Sequence, residues 1–508
     1  MAKEKFYITT AIIYANAKPH IGFALELLQA DAIARWQRLL GKEVFFLTGS
    51  DEHGTKILTA ATAASEEPQA FVDQNVVAVK TALTALNISN TDFIRTTDRA
   101  RHWPTAQKIW QQLADHGDIT AGHYQGYYSV TEEAYITKTD YEAGNYDPAK
   151  VVELSEDNYI FHLGNYQEPI VKALESRTLN LLPHHRASEM INFAASGLQD
   201  VSFSRPSAKM PWGIPVPGDD GQVMYVWCDA LTNYLSALDY ANDGTNFKKF
   251  WPADVQIIGK DILRFHALTW PGILLGLGLP LPRTLLVHGH VLSEGQKMSK
   301  SVGNVVDPIE LVEKFGLDPV RYYLLGEIPT KDDGDFSATR FTEIYESDLA
   351  NDLGNLLNRT LVMADKYLPN GLPKISADPF GTAEFWQDIS DMMLPEALDL
   401  DKALKAIWGL VRRLNQYIDA ERPWEVAKLN SDAAGLAVAN LIEGLRHIGL
   451  AAHAFLPETS DRIYAQLGLA PLDEAVDTLA ALNGWGTVLK SGHHWTAPSP
   501  LFPKEPKA

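Results

Sequence analysis

Along 6–13 (FYITTAII) the chain runs apolar with few breaks, in β-branched and aromatic side chains that suit a buried strand. The period then changes. In 14–36 (YANAKPHIGFALELLQADAIARW) Leu25, Leu28, Ala32 and Trp36 recur at three- and four-residue spacing, which marks one face of a helix. Pro19 disfavours helix at Lys18, so the helix is predicted to start at His20-Ile21-Gly22. Strand, tight glycine turn and helix together leave free backbone N–H groups where a phosphate can bind. Further strands are predicted at 42–48 (KEVFFLT), ending at GSDEHG, and at 285–292 (LLVHGHVL). Residues 65–115 read as helical and mostly structural. From about 349 the pattern is helical: Ile407, Leu410, Val411, Leu414 and Ile418 share one face, and Leu441, Leu445 and Ile448 another. The Pro- and Gly-rich 368–381 is a loop between helices, and the chain beyond 465 is irregular.

At 508 residues, 46% apolar and 21% charged, the chain is long enough for roughly two to four domains and a sizeable core. Its single cysteine, Cys228, excludes an intramolecular disulfide framework and a cysteine-rich zinc cluster. The longest apolar stretch, 268–282, is too short and too rich in Gly and Pro to span a bilayer. MAKEK before an apolar run faintly mimics a secretory leader, but Thr9, Thr10 and Asn16 interrupt it. A soluble, cytoplasmic protein is expected. The net charge of −20 argues against holding nucleic acid through the overall field, so RNA binding needs a local basic face.

The candidate chemistry begins with KMSKS, 297–301, between Gly295 and Gly303. Two ammonium groups on a deformable loop suit a polyphosphate whose charge grows during reaction; a generic K-x-S-K segment is also a common solvated turn. Neither GxxxxGK[ST] nor GxGxxG occurs, so a nucleotide would have to lie between the turn at His20 and the loop at Lys297. Asp51, at a predicted strand end, suits either an ammonium group or a turn. Tyr225, Trp227 and Tyr234 form an aromatic stripe. On its own it reads as core packing. His184-His185 and His288-x-His290 lack further ligands at recognisable spacing, so no metal site is expected.

The HIGF of 20–23 and the KMSKS of 297–301 together resemble the paired signatures of class I aminoacyl-tRNA synthetases. LTGSDEHGTKI (47–57), WGIPVPG (212–218), MYVWCDALTNYLSAL (224–238), IIGKDILRFHALTWP (257–271) and GHVLSEGQKMSKS (289–301) narrow the resemblance to the methionyl-tRNA synthetases. It runs from about residue 5 to the LFP at 501–503. It implies an α/β fold, with a Rossmann-like parallel-sheet catalytic domain in two halves, 1–117 and 206–326, split by a connective insertion at 118–205. A stem-contact connector would follow at 327–348, carrying Asp332, Asp333 and Asp335, and then an all-α anticodon-binding bundle with its tail, 349–508. It further implies ATP-dependent ligation of L-methionine to initiator and elongator tRNA(Met) through a methionyl-adenylate, by a monomer using ATP with Mg2+ and no membrane.

By the same resemblance His20, Lys297 and Lys300 are the catalytic groups, with Lys300 the first choice for the transition state. Gly22, Phe23, Gly259, Asp261, His288, Met298, Ser299 and Ser301 join them at ATP. Ile12 and Tyr14 form one wall of the methionine site, Trp227, Ala230, Leu231 and Tyr234 another, and Ile262 and His266 close it. His266 would offer a donor near the thioether and Asp51 would take the ammonium. Asn355, Arg359, Pro423 and Trp424 would read the anticodon, with Arg412 and Arg413 on phosphates. Trp424 also fits a helix-start packing residue.

Two departures stand out. Phe23 replaces the second signature histidine and cannot hydrogen-bond phosphate. Ser129 and Glu132 occupy positions where many relatives carry a zinc CxxC pair, and serine with glutamate makes no structural zinc site. A metal-free knuckle held by Tyr127, Tyr128, Tyr135, Tyr159 and Phe161 is expected, with 157–170 as its return segment. Two other readings remain. A synthetase for a branched apolar amino acid would carry a larger editing insertion than 118–205. A non-catalytic tRNA-binding protein finds its best support in Phe23.

Overall fold

The computed structural model describes residues 3–130, 133–136, 141–144, 146–298, 303–375 and 377–503. Its central strand is Lys5–Thr10, buried from Phe6 onward and flanked by Glu43–Asp51 and Val255–Gly259. Across the sheet the order is Asp92–Arg95, Glu43–Asp51, Lys5–Thr10, Val255–Gly259, Thr284–His288, Asn180–Leu182, every neighbour parallel. Parallel strands covered on both faces read as unbroken apolar runs, which is why FYITTAII and KEVFFLT were legible. The chain order reverses between Lys5–Thr10 and Val255–Gly259. In open α/β sheets the crevice beyond the carboxyl ends of such a pair is where ligands bind.

The helix after Lys5–Thr10 spans Ile21–Leu39 and is buried along most of its length. The strand predicted to stop at 48 continues to Asp51, and the short Ile13–Tyr14 pairs with its end, Tyr14 opposite Asp51. Two expectations need correction. Within 65–115 the helices Pro68–Ala85 and Trp103–Asp115 are joined by the edge strand Asp92–Arg95. That strand is too short for alternation to reveal it. The predicted 285–292 strand is two strands, Thr284–His288 in the main sheet and Val291–Ser293 outside it. They part at Gly289, where a Cβ would stand 2.2 Å from the backbone of Asp332. Only glycine lets the connector pass so close.

Val291–Ser293 pairs antiparallel with Gln296–Lys297 and parallel with Gly334–Phe336. The turn between the first two uses Glu294 (φ 51) and Gly295 (φ 74), both left-handed as a two-residue hairpin requires. The base of the lysine loop is thus a hairpin tied to the acidic connector.

Between 118 and 205, Ile119–Ser129 and Val151–Phe161 form a long antiparallel pair, edged by Ala134–Ile136 and Val201–Ser202. Its aromatics reach separate partners. Tyr127 stacks on Tyr141 with centroids 4.4 Å apart, Phe161 on Phe203 at 4.6 Å, and the Arg205 guanidinium lies over Tyr128. Tyr159 packs edge-on to Trp110 and its hydroxyl donates to Asp219. Glu132 and the Tyr135 side chain lie outside the described residues. The same stretch of chain also supplies Asn180–Leu182, the outermost strand of the main sheet.

Beyond the connector, Asn355–Tyr367, Leu400–Glu421 and Ser431–Ala452 pack as a bundle. Each residue predicted on the two apolar faces is fully buried. A buried ionic hub fastens the bundle to the helix Ile21–Leu39: Arg321 meets Asp31 at 2.7 Å and donates to the Phe455 carbonyl at 2.6 Å, while Arg35 meets Asp31 at 2.8 Å. Burial opposes the Asp31 charge, but the two guanidinium groups prevail and hold its pKa at about 2. The irregular tail returns to the connector, where Tyr345 donates to the Pro503 carbonyl. Among the described residues no helix is long and apolar enough to cross a membrane.

Candidate active site

His20 caps the helix Ile21–Leu39 from an extended backbone, its Nδ1 accepting the Gly22 N–H at 3.1 Å. A Cβ at Gly22 would stand 3.0 Å from the ring, so glycine lets the cap close. The ring opens to solvent within a recess, and desolvation there lowers its pKa below the ordinary histidine value. With Nδ1 accepting, the neutral ring carries its proton on Nε2, a donor free for a phosphate oxygen at the helix's positive end.

The return leg of the lysine loop reaches this point. The Ile21 N–H donates to the Val306 carbonyl at 3.1 Å, which docks the loop's return leg on the helix start. Lys297 sits on the outgoing hairpin, its carbonyl accepting from Asn304 at 3.3 Å. Its charge acts on Asp261, just after Val255–Gly259. Ser299, Lys300 and Ser301 lie outside the described residues. Phe23 is partly buried against the large apolar cluster that also takes Met298 and Val306, where a histidine would have offered a donor. Asp307 caps the following helix Pro308–Phe315 by accepting the Ile309 N–H at 2.8 Å. Asp307→Ala is expected to destabilise the protein by about 1 kcal/mol, readable as a lowered midpoint of chemical unfolding.

His288, at the end of Thr284–His288, is engaged on both ring nitrogens. It is buried, with Nε2 3.0 Å from Glu26 and Nδ1 2.8 Å from the Gly289 carbonyl. Burial would lower its pKa, yet the bond to Glu26 and that carboxylate's charge raise it. Both ring nitrogens are thus bonded within the protein. Glu26, which sequence reasoning missed inside a helical apolar run, also accepts the Ala11 N–H at 2.6 Å. Asp261 meets His290 Nε2 at 2.7 Å, an interaction that lowers its pKa. Lys260 is held by Asp333 of the connector at 2.7 Å. A Cβ at Gly259 would stand 3.6 Å from the His288 ring, an ordinary contact.

Asp51 ends the neighbouring strand Glu43–Asp51. Asp51 is buried at 8% exposure, and its Oδ1 has no partner. Burial raises its pKa well above the ordinary carboxyl value, and the charges of Asp229 and Glu133 add to this. An unpaired buried acceptor is costly, and an incoming ammonium would satisfy it. The Tyr14 hydroxyl donates to the His53 carbonyl at 2.8 Å, and Ile12 lies over Gly49. Ile12, Trp227 and Ile262 pack on one apolar cluster with Leu231 and Tyr234, and Ala230 is buried beside Leu231. Trp227 stacks on Phe265 at 3.8 Å and stands edge-on to His266. Phe265, absent from the expected set, follows Arg264 in a helix widened to a π turn over Phe265–Thr269, a feature frequent at functional sites.

His266 is bonded on both ring nitrogens. Its Nδ1 lies 3.1 Å from the Ile262 carbonyl and must donate there, so Nε2 accepts from the Tyr234 hydroxyl at 2.8 Å. Burial lowers its pKa to about 4, which keeps it neutral. A thioether here meets aromatic faces and edges. Tyr225 leaves the stripe altogether, its hydroxyl donating to the Glu133 carbonyl of the insertion.

Residues 6–144 and 147–361 match the family of class I tRNA synthetases (M), and 386–506 match the anticodon binding domain of methionyl tRNA ligase. The chain belongs to the methionyl-tRNA synthetase family. It is 42% identical over 519 residues to the methionine–tRNA ligase of Brucella melitensis, covering 99% of this chain and 98% of that one. It is 43% identical over 526 residues to methionine–tRNA ligase 1 of Bacillus cereus, covering 99% of this chain and 78% of the relative. The Mycobacterium tuberculosis methionyl-tRNA synthetase in complex with methionyl-adenylate superimposes with a TM-score of 0.90 at 36% identity, covering 98% of this chain and 100% of that chain. Its free form gives 0.83 at 32% identity.

At the far end of the synthetase, Arg422 (φ 41) breaks the helix Leu400–Glu421 and Pro423 opens the next turn. Pro423 is buried while Trp424 is 39% exposed, unlike a packing residue. Arg359 reaches Asp419 at 3.6 Å, so the helix carrying Asn355 and Arg359 borders the same end. Asn355, Arg412 and Arg413 are exposed. Among the described residues no cluster of three or more His, Cys, Asp or Glu could hold a metal ion.

Proposed function

We propose that the protein ligates L-methionine to initiator and elongator tRNA(Met), as a cytoplasmic monomer serving translation. The observation that carries this reading is the pairing of an orphaned buried carboxylate, Asp51, with a helix start that docks the return leg of the lysine loop. In the first step a methionine carboxylate oxygen attacks the α-phosphorus of ATP in line. The bond from that phosphorus to the β-bridging oxygen breaks, giving methionyl-adenylate and pyrophosphate. In the second, the 2′-hydroxyl of the terminal adenosine attacks the carbonyl and AMP leaves. The substrates supply both nucleophiles, so the protein's part is positioning and charge stabilisation.

His20 Nε2–H, Lys297 and Lys300 hold the polyphosphate, with Gly22, Met298, Ser299 and Ser301 shaping the loop and helix start around it. Mg2+ bound to the nucleotide would screen its phosphates, and Asp261 is an exposed carboxylate just after Val255–Gly259. Asp51 takes the ammonium, and the Trp227–Phe265 stack with Ile12 and Tyr234 flanks the thioether. The test is charging of purified tRNA(Met) with labelled methionine. Acylation of that tRNA alone is expected; tRNA binding without acylation would establish the non-catalytic alternative.

Trp424 serves as a platform for an unstacked anticodon base, beside the amide of Asn355 and the guanidinium of Arg359. Stacking of this kind is worth about 1–3 kcal/mol per base. Trp424→Ala is therefore expected to reduce tRNA charging roughly tenfold while methionine activation is unchanged; equal loss of both would remove the assignment. The insertion holds without zinc, on its stacked tyrosines and buried Ser129. Elemental analysis of purified protein is expected to find no stoichiometric zinc.

A further inference from the structure

Behind Asp51 lies a buried chain of polar groups that none of the roles above uses. Asp229, on the helix Val226–Leu231, is 1% exposed, and both its oxygens are gripped. Oδ2 lies 2.6 Å from His53 Nδ1, and Oδ1 lies 2.6 Å from His102 Nε2. His102 is itself fully buried, its Nδ1 2.8 Å from Ser236 Oγ. The His53 ring is further fixed edge-on against Trp212 at 5.4 Å. The main chain of His53 then serves the substrate site on both sides. Its N–H donates to Asp51, and its carbonyl accepts the Tyr14 hydroxyl at 2.8 Å.

We propose that His53, Asp229 and His102 are positioning residues for the amino group of the bound amino acid. Asp229, clamped between two imidazoles, fixes the His53 ring, and the His53 backbone aims Asp51 and Tyr14 into the pocket. This rests on the proposed function and deepens it. The arrangement has an electrostatic side as well. Asp51 is faced by Asp229 from one helix, by Glu133 from the insertion, by Glu52 from its own strand end and by the Tyr14 hydroxyl. Glu52 is answered by Arg95 at 2.7 Å, and Glu133 accepts the Lys56 N–H at 2.9 Å with the Lys56 ammonium 4.0 Å away. The free oxygen of Asp51 has no such answer until a cation enters. Asp229 thus both holds the site's geometry and raises its demand for a positive charge.

The experiment is methionine-dependent exchange of pyrophosphate into ATP by the wild type, Asp229→Asn and His102→Asn, run from acid to neutral pH. For Asp229→Asn the KM for methionine is expected to rise about tenfold while the KM for ATP stays within about twofold. Removing the Asp229 charge makes Asp51 easier to ionise, so the acid limb of kcat/KM for methionine moves down by about half a pH unit. His102→Asn moves methionine KM in the same direction, about threefold. Two inhibitors separate positioning from general loosening. Methioninol, which has the amino group and no carboxylate, is expected to weaken in both variants. 4-(Methylthio)butanoate, which has the carboxylate and no amino group, is expected to bind as it does to the wild type. Equal weakening of both inhibitors, or unchanged methionine KM with an unmoved limb, overturns the proposal. If Asp229→Asn fails to fold, the inhibitor pair on His102→Asn decides. A wild type without exchange would instead defeat the functional reading itself.

Discussion

His20→Ala is expected to slow methionine-dependent pyrophosphate exchange by about a hundred- to a thousandfold, with little change in the KM for methionine. The size follows from removing one preorganised donor from a site where charge develops. His20 is held for that task. Its Nδ1 is occupied by the Gly22 N–H, its Nε2–H faces outward, and its lowered pKa keeps the ring a neutral donor. The helix start adds the positive end of its dipole. Because Phe23 supplies packing in place of the second signature histidine, no neighbouring imidazole can compensate. Lys300→Ala is expected to act in the same direction and chiefly on kcat, since a loop lysine strengthens its contact as the pyrophosphate leaves. A His20→Ala exchange rate within about threefold of wild type would remove His20 from the transition state.

The second large effect belongs to Asp51→Asn. Truncating one partner of a buried, hydrogen-bonded charge pair costs about 2–5 kcal/mol, so the KM for methionine is expected to rise about a hundredfold or more while ATP binding is preserved. Its pH dependence carries a sign that can be checked. Asp51 must be ionised to receive an ammonium, and burial among like charges raises its pKa. The fall of kcat/KM for methionine toward acid therefore begins above the ordinary carboxylate range near about 4, and methionine binding near that pKa releases a proton. A carboxamide at this position cannot titrate, so the variant loses this limb. Retention of the limb in Asp51→Asn would assign it to another group.

Much of the fold was legible because its signals are local. The apolar runs at 6–13 and 42–48 announced strands buried on both faces, and the spacing of Leu25, Leu28, Ala32 and Trp36 announced the first helix. Asp92–Arg95 was not legible: four residues at a sheet edge carry too little pattern. The break at Gly289 depends on a backbone more than forty positions later, which no local period records. In the site, residue types were readable and their hydrogen-bond commitments were not. His288 and His266 stand where the resemblance puts them, yet Glu26, Gly289, Ile262 and Tyr234 consume their nitrogens. The clamp of His53, Asp229 and His102 joins three separate stretches of chain, a coincidence visible only in three dimensions. Composition pointed away from RNA through the charge of −20, while Arg412 and Arg413 stand exposed on the bundle.

The most direct measurement of the central claim is pyrophosphate exchange into ATP with methionine, leucine, isoleucine or valine as the only amino acid. A helix start that docks the return leg of a lysine loop, beside an aromatic pocket with an orphaned carboxylate, predicts exchange with methionine at least about a hundredfold faster than with the branched amino acids. Exchange that is absent with methionine, or equal for leucine, would contradict it.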